Sequence, residues 1–272
     1  MFRIGLSSCG KDFGEPLFRQ YAAAGIGFME ISMDKEDCDV FDFTEARRLS
    51  ELTGVALWSF HLPFMPFEEI DISHPALARA TVPYLCEMIR KGGQIGIAKF
   101  IVHPSGEPIA EEDRALRMET AKESLVKLAD VAAENGAVMA VENLPRTCLG
   151  RDSGDILRLL TADDRLRVCF DTNHLLRETH ADFIKAAGEK IVTTHVSDYD
   201  FIDEKHWLPG EGKVDWPVLA TLLKNAGYGG VWLYELGFKA PRSHPRSRDL
   251  TCADFVRNAR EIFSGGPITA VE

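Results

Sequence analysis

Residues 166–174 have the sequence LRVCFDTNH, in which a mostly apolar run ends in four polar residues. The run Leu166–Phe170 is short and rich in residues that favour strands. A strand with little polar alternation is typical of a parallel sheet that is covered on both faces. The segment therefore predicts a buried parallel strand that places Asp171 at the carboxyl edge of the sheet.

The same pattern recurs along the chain, and each apolar run is followed by a helical pattern. Together with Leu166–Phe170, the predicted strands are Phe2–Leu6, Phe28–Ser32, Ala56–Phe60, Phe100–Val102, Val138–Val141, Ile191–Thr194 and Val231–Tyr234. No linker or low-complexity tract divides the sequence. Eight alternating units in 272 residues predict an α/β fold, a single (β/α)8 TIM barrel domain spanning residues 1–272. An open doubly wound sheet is the alternative, but no strand is followed by G-x-G-x-x-G.

Residues that start and stop helices lie between these strands. Pro16 and Gly25 bracket the first helix, and Thr44 is expected to cap a helix that stops at Gly54. Further helices are expected from the acidic run 111–113 to Asn135-Gly136, from Asp215 to Ala226-Gly227, and from about Asp249 to Phe263.

Composition limits the possible partners. The chain has 31 Lys and Arg against 42 Asp and Glu, which gives a formal charge of -11. This charge argues against binding to nucleic acid. No apolar run reaches the ~18 residues needed to span a bilayer, and the amino terminus does not resemble a signal peptide. The six cysteines are scattered without a CxxC pair. We expect a cytoplasmic protein that binds neither nucleic acid nor membrane.

Polar residues stand at the ends of successive predicted strands, and a barrel brings strand ends to one mouth. The second strand ends at Glu30. The third to eighth predicted strands lead, in order, into His61, His103, Glu142-Asn143, Asp171-Thr172-Asn173-His174, His195 and Glu235. A single histidine after a strand is usually a hydrogen-bonded loop residue, but so many converging groups indicate a functional site.

Three carboxylates at one mouth would repel one another unless a cation lay between them. Glu142, Asp171, His195 and Glu235 offer oxygen and nitrogen ligands that suit one divalent metal ion: Mn²⁺, Mg²⁺, Co²⁺ or Zn²⁺. The sequence therefore predicts a metal site made by these four residues.

The motifs around these residues carry a family resemblance. Val102-His103-Pro104, Val141-Glu142-Asn143, Phe170–His174, His195–Asp198 and His206–Gly212 together resemble the xylose isomerase-like TIM barrel superfamily of sugar isomerases and epimerases, which is related to apurinic endonucleases. The resemblance spans nearly the whole chain. It implies one metal ion held by Glu142, Asp171, His195 and Glu235, with Glu142 and Glu235 as the catalytic acid/base pair. It also implies a carbohydrate or polyol substrate and a possible homo-oligomer.

The chemistry suits the residues. Removing a proton next to a carbonyl gives an enediolate, whose charge a metal ion can stabilise. Two glutamates can then remove and return the proton. The expected substrate-binding residues are His61, His103, His174, His206 and Trp58, with His174 as the foremost contact.

Two departures leave the reaction open. Ketose 3-epimerases carry a Glu where this chain has Cys148 and an Arg where it has Phe201. An inosose dehydratase-like lyase on the same metal site is therefore an alternative. An apurinic endonuclease-like phosphodiester hydrolase is less favoured: the histidines and Glu204 match its layout, but the loop after Glu142 and the net charge do not. A non-catalytic binding barrel is disfavoured because the glutamates and metal set are intact.

Overall fold

Eight parallel strands form the centre of the molecule. The computed structural model describes residues 2–271, and its strands are β1 Arg3–Ser7, β2 Phe28–Ser32, β3 Ala56–His61, β4 Lys99–Val102, β5 Val138–Glu142, β6 Arg167–Asp171, β7 Ile191–His195 and β8 Val231–Tyr234. From β1 to β7 each strand pairs with the next one in sequence, and β1 also pairs with β8. Between β7 and β8 a bridge from Val196 to Tyr234 nearly closes the ring. The predicted (β/α)8 TIM barrel is confirmed.

Helices surround this barrel. They are α1 Glu15–Ala24, α2 Lys35–Val40, α3 Phe43–Thr53, α4 Ala78–Gln94, α5 Arg114–Glu134, α6 Ser153–Leu160, α7 His180–Ala187, α8 Trp216–Asn225 and α9 Cys252–Ser264. Short 3-10 turns precede α5 and β7. Among residues 2–271, the helices are too short or too polar for any of them to cross a membrane.

Two helix starts differ from the sequence prediction. The helix α3 is capped by Asp42, whose side chain accepts from the backbone N–H of Glu45, so Thr44 lies inside the helix. The helix α9 begins after Thr251, which forms a reciprocal capping box with Asp254, rather than near Asp249. In both cases the competing cap satisfies a free backbone N–H of the first turn.

The barrel interior becomes polar towards the carboxyl ends of the strands. Side chains two residues apart share a strand face, so Ala140 and Cys169 precede Glu142 and Asp171 on the same face. Both small residues are fully buried and pack with Ile101 in a small cluster separate from the main core. The strands thus place carboxylates directly above an apolar layer.

Candidate active site

The predicted metal ligands meet at the carboxyl mouth of the barrel. Glu142, Asp171 and His195 are the last residues of β5, β6 and β7, and Glu235 directly follows β8. His195 Nδ1 lies 3.0 Å from Glu142 Oε1 and 3.2 Å from Glu235 Oε2. It lies 3.9 Å from Asp171 Oδ2. One ligand atom from each of the four residues lies within 4.8 Å of the others.

This donor set fits a divalent cation. All four side chains are buried, and Asp171 Oδ2 has no hydrogen-bond partner among the described residues. Burial raises the pKa of Asp171 to about 8, with His174 opposing the shift and the Glu142 carboxylate adding to it. Like charges in a buried site need a cation or a proton between them. Three carboxylate oxygens and one imidazole nitrogen are ligands that Mn²⁺, Mg²⁺, Co²⁺ and Zn²⁺ all accept.

Glu30 belongs to the same cluster; the sequence analysis counted it among the polar strand ends but gave it no role in metal or substrate binding. It is fully buried on β2, and its carboxylate lies 3.1 Å from His195 Nε2. Ser59 Oγ donates to Glu30 Oε2 at 2.7 Å. The signal in the sequence was a charged residue inside an otherwise apolar strand, but its partner lies 165 residues away.

Two histidines contact the other oxygen of Glu142. His61 Nε2 lies 3.0 Å and His103 Nε2 lies 3.4 Å from Glu142 Oε2. Burial favours a neutral His61, but the Glu142 carboxylate outweighs it and raises the imidazole pKa. Burial alone would raise the pKa of Glu142, yet the imidazoles of His195 and His103 hold it well below its usual value. Glu142 therefore stays ionised and is fixed from both sides.

His174 and His206 form a second group beside the carboxylates. His174 Nδ1 lies 2.9 Å from the Asn143 carbonyl, and its Nε2 lies 3.4 Å from Glu204 Oε2. His206 Nδ1 lies 3.3 Å from the Glu235 carbonyl. Burial opposes protonation of His174, but Asp171 and Glu204 raise its pKa to about 10.

A network of ion pairs, the Arg146 rim, adjoins His174 and consists of Arg146, Glu107, Asp203 and Glu204. Arg146 donates to Glu204 at 3.2 Å, to Asp203 at 2.8 Å and to Glu107 with its Nε at 3.0 Å. Although burial opposes ionisation of Glu204, the neighbouring His174 and Arg146 lower the pKa of this carboxyl to about 2. The rim joins the loops after β4, β5 and β7. The sequence analysis named Glu204 but did not predict Arg146 or Glu107.

Trp58 does not lie with these residues, contrary to the expectation that it contacts substrate. Its indole N–H donates to Thr193 Oγ1 at 3.0 Å. The Lys99 ammonium lies 3.5 Å from the Trp58 ring centre and the Arg3 guanidinium 5.2 Å from it. Lys99 and Arg3 are the first residues of their strands. Trp58 therefore closes the opposite, amino-terminal end of the barrel.

A cavity of about 390 Å³ opens onto the site. Glu142 and Glu235 line it, together with four of the predicted substrate-binding residues: His61, His103, His174 and His206. Asp171 and His195 lie deeper and are not among its lining residues. A small molecule entering the cavity meets the two glutamates first.

The chain resembles known proteins. Residues 18–250 match the sequence profile of the family described as xylose isomerase-like TIM barrel. The chain is 27% identical over 168 residues to an inosose isomerase of Bacillus licheniformis and 23% identical over 180 residues to an uncharacterized protein of Methanocaldococcus jannaschii. These alignments cover 57% and 63% of this chain but 58% and 61% of the relatives, so the chain spans about three fifths of their length.

Solved structures with the same fold include sugar epimerases. A D-tagatose 3-epimerase-like protein superposes with a TM-score of 0.81 at 18% identity, over 97% of both chains. A D-psicose 3-epimerase crystallised in the presence of D-fructose gives a TM-score of 0.77 at 18% identity, over 97% of this chain and 98% of that one. At these identities the likeness establishes the barrel fold.

Proposed function

This chain belongs to the xylose isomerase-like TIM barrel family, and from that premise we propose that it is a metal-dependent sugar isomerase or epimerase. The reaction is proton transfer next to the carbonyl of a sugar or polyol-derived ketone. One observation carries the proposal: Glu142 and Glu235 come from non-adjacent strands, contact the same nitrogen of His195, and both line one cavity.

The two glutamates are the proposed proton carriers. Both are buried, so few water molecules compete with the substrate for contact with either carboxylate. One removes the proton next to the carbonyl to give an enediolate, and the other returns it, to the same carbon or to the neighbouring one. Return to the opposite face of the same carbon is epimerisation. Return to the neighbouring carbon, with the hydroxyl proton also moved, is isomerisation.

The remaining residues position this pair. His61 and His103 hold Oε2 of Glu142, which fixes the direction of its other lone pairs. His174 and His206 line the cavity and are placed to hold substrate hydroxyls. Glu142, Asp171, His195 and Glu235 would hold the divalent ion. The bound ion supplies positive charge that stabilises an enediolate.

Solvent exchange tests this proposal. The protein loaded separately with Mn²⁺, Co²⁺, Mg²⁺ or Zn²⁺ is incubated with ketoses, aldoses and inososes in D₂O, and products are examined by NMR. We expect deuterium at the carbon next to the carbonyl. Glu142→Gln and Glu235→Gln each abolish it, and Glu51→Gln on the outer face of α3 leaves it unchanged. Turnover without exchange and without loss of water contradicts proton transfer; loss of water supports the inosose dehydratase-like lyase.

One observation favours a second candidate, a multi-metal phosphodiester hydrolase. His174, Glu204 and His206 bring ligand atoms within 4.8 Å of one another, as do His61, His103 and Glu142. Two such groups beside the first allow further cations. Against it, Glu204 is paired with Arg146 and the net charge is -11. Elemental analysis separates the two: about one ion per chain fits the isomerase, and three ions with cleavage of abasic-site DNA fit the hydrolase.

A further inference from the structure

The cavity above Glu142 and Glu235 has an apolar wall. Its lining combines carboxylates and imidazoles with six apolar residues: Phe64, Met65, Phe67, Leu144, Pro145 and Leu236. Phe64 and Phe67 are only partly buried, and Met65 is 38% exposed. Apolar side chains that stay exposed inside a cavity gain free energy when a ligand covers them.

The wall adjoins the reacting groups. The ring of Phe64 stacks on the imidazole of His103, with centroids 4.0 Å apart and planes tilted by 24°. His103 in turn lies 3.4 Å from Glu142 Oε2. Phe67 also lines the cavity, with its ring centroid 6.3 Å from that of Phe64. A substrate whose ketone reaches Glu142 therefore places its outer end against these rings.

The charges of the cavity disfavour a phosphorylated substrate. Arg146 is the one Lys or Arg among the described residues that line it, and Glu107, Asp203 and Glu204 already occupy its guanidinium. Four glutamates also line the cavity: Glu107, Glu142, Glu204 and Glu235. A phosphate dianion would meet negative charge there and find no unpaired guanidinium or ammonium group.

The size of the cavity leaves room for a substrate that carries a substituent. Its volume of about 390 Å³ falls within the roughly 300–1,000 Å³ that holds drug-sized ligands. Resting on the isomerase or epimerase function proposed above, we propose that the substrate is an uncharged keto-sugar that carries an apolar substituent. That substituent packs against Phe64, Met65 and Phe67.

Binding of unreactive glycosides tests this proposal apart from turnover. Titration calorimetry compares phenyl β-D-glucopyranoside, methyl β-D-glucopyranoside, glucose and glucose 6-phosphate on the metal-loaded protein. We expect the phenyl glycoside to bind about tenfold or more tightly than the methyl glycoside, and glucose 6-phosphate to bind more weakly than glucose. Phe67→Ala lowers the phenyl preference several-fold. Met65→Ala, at a side chain that is 38% exposed, also lowers it.

The control is Leu116→Ala, which removes an exposed apolar side chain from α5 and leaves the preference unchanged. A phenyl preference that is absent, or unaffected by both wall variants, overturns the proposal, as does tighter binding of the phosphate. Deuterium exchange into a ketose without any phenyl preference contradicts the proposed apolar substituent but leaves the proposed isomerase or epimerase function standing. A wall-dependent phenyl preference without exchange into any ketone supports the subsite and counts against the isomerase function.

Discussion

His195 Nε2 lies 3.1 Å from one carboxylate oxygen of Glu30 and 3.2 Å from the other, and both side chains are fully buried. The opposite nitrogen, Nδ1, faces Glu142, Glu235 and Asp171. A metal ion bound at Nδ1 would replace the proton there, and the Glu30 carboxylate would then accept a hydrogen bond from the remaining proton on Nε2.

The first prediction concerns this tautomer. Glu30→Gln supplies an amide N–H that can donate to Nε2, which moves the proton to Nδ1 and blocks the ligand position. We expect metal affinity to fall by about 10–100-fold. Nitrogen-15 NMR of the protein in the presence of Mg²⁺ should show the His195 proton on Nε2 in the wild type, and shared with or moved to Nδ1 in Glu30→Gln. Ser59→Ala removes one hydrogen bond to Glu30 and should lower metal affinity by a smaller factor. Unchanged metal affinity and an unchanged tautomer in Glu30→Gln would show that Glu30 does not determine which nitrogen of His195 carries the proton.

The second prediction concerns stability after metal removal. A cation bound to the folded state at about 100 times its Kd adds about 2.7 kcal/mol to the free energy of unfolding. EDTA should therefore lower the urea midpoint of the wild type. Asp171→Asn removes one of three crowded carboxylates, so it should match or exceed the metal-free wild type in stability while responding little to added Mn²⁺. A strong Mn²⁺ response in Asp171→Asn contradicts the proposed ligand set.

The strands and their polar ends could be predicted from the sequence for one physical reason. Parallel strands buried on both faces must be apolar until they reach the mouth, so Val138–Glu142 and Ile191–His195 are visible as runs that end in predicted metal ligands. Helix starts are less certain because neighbouring residues compete as caps. Asp42 and Thr251 hold those positions, and Thr44 and Asp249 do not.

Depth along the barrel and contacts across it could not be predicted. Trp58 lies three residues before the end of β3, and this places its ring beside Lys99 and Arg3 rather than near substrate. Glu30 acts on His195 from the far side of the barrel, and the Arg146 rim joins three loops. These contacts depend on how the strands tilt and the loops fold, which local periodicity does not encode.

The third prediction concerns Lys11 and pH. Its ammonium donates to the carbonyls of Ser7, Cys9 and Leu236, the last directly after Glu235. Burial lowers the pKa of Lys11 to about 8, against 10.5 for an ordinary lysine. Between pH 8 and 10.5 the unfolded chain binds more protons at this residue than the folded chain, so its contribution to stability increases as pH rises.

The comparison that isolates this effect is Lys11→Met against wild type. The difference in urea unfolding free energy, wild type minus variant, should increase from pH 8 to pH 10.5 and stay flat from pH 6 to pH 7. The matched control is Lys213→Met, which removes an exposed ammonium and shows how much of the change comes from pH acting on the rest of the protein. A flat difference for Lys11→Met across the whole range is incompatible with a lowered pKa.

The fourth prediction concerns the backbone of Arg146. Its φ is +51°, in the left-handed region that costs a residue with a Cβ about 1–2 kcal/mol and costs glycine little. Its side chain is 35% exposed and bridges Glu107, Asp203 and Glu204, so any truncation loses ion pairs that solvent partly screens. Arg146→Gly and Arg146→Ala lose the same pairs, but only the glycine variant relieves the backbone. We therefore expect Arg146→Gly to be more stable than Arg146→Ala by about 1 kcal/mol in urea unfolding.

The control position is Glu123, which is exposed within α5. There the order should reverse, with the alanine variant more stable than the glycine variant by roughly 0.5–1 kcal/mol. If alanine is the more stable at both positions, residue 146 does not hold a left-handed conformation in solution.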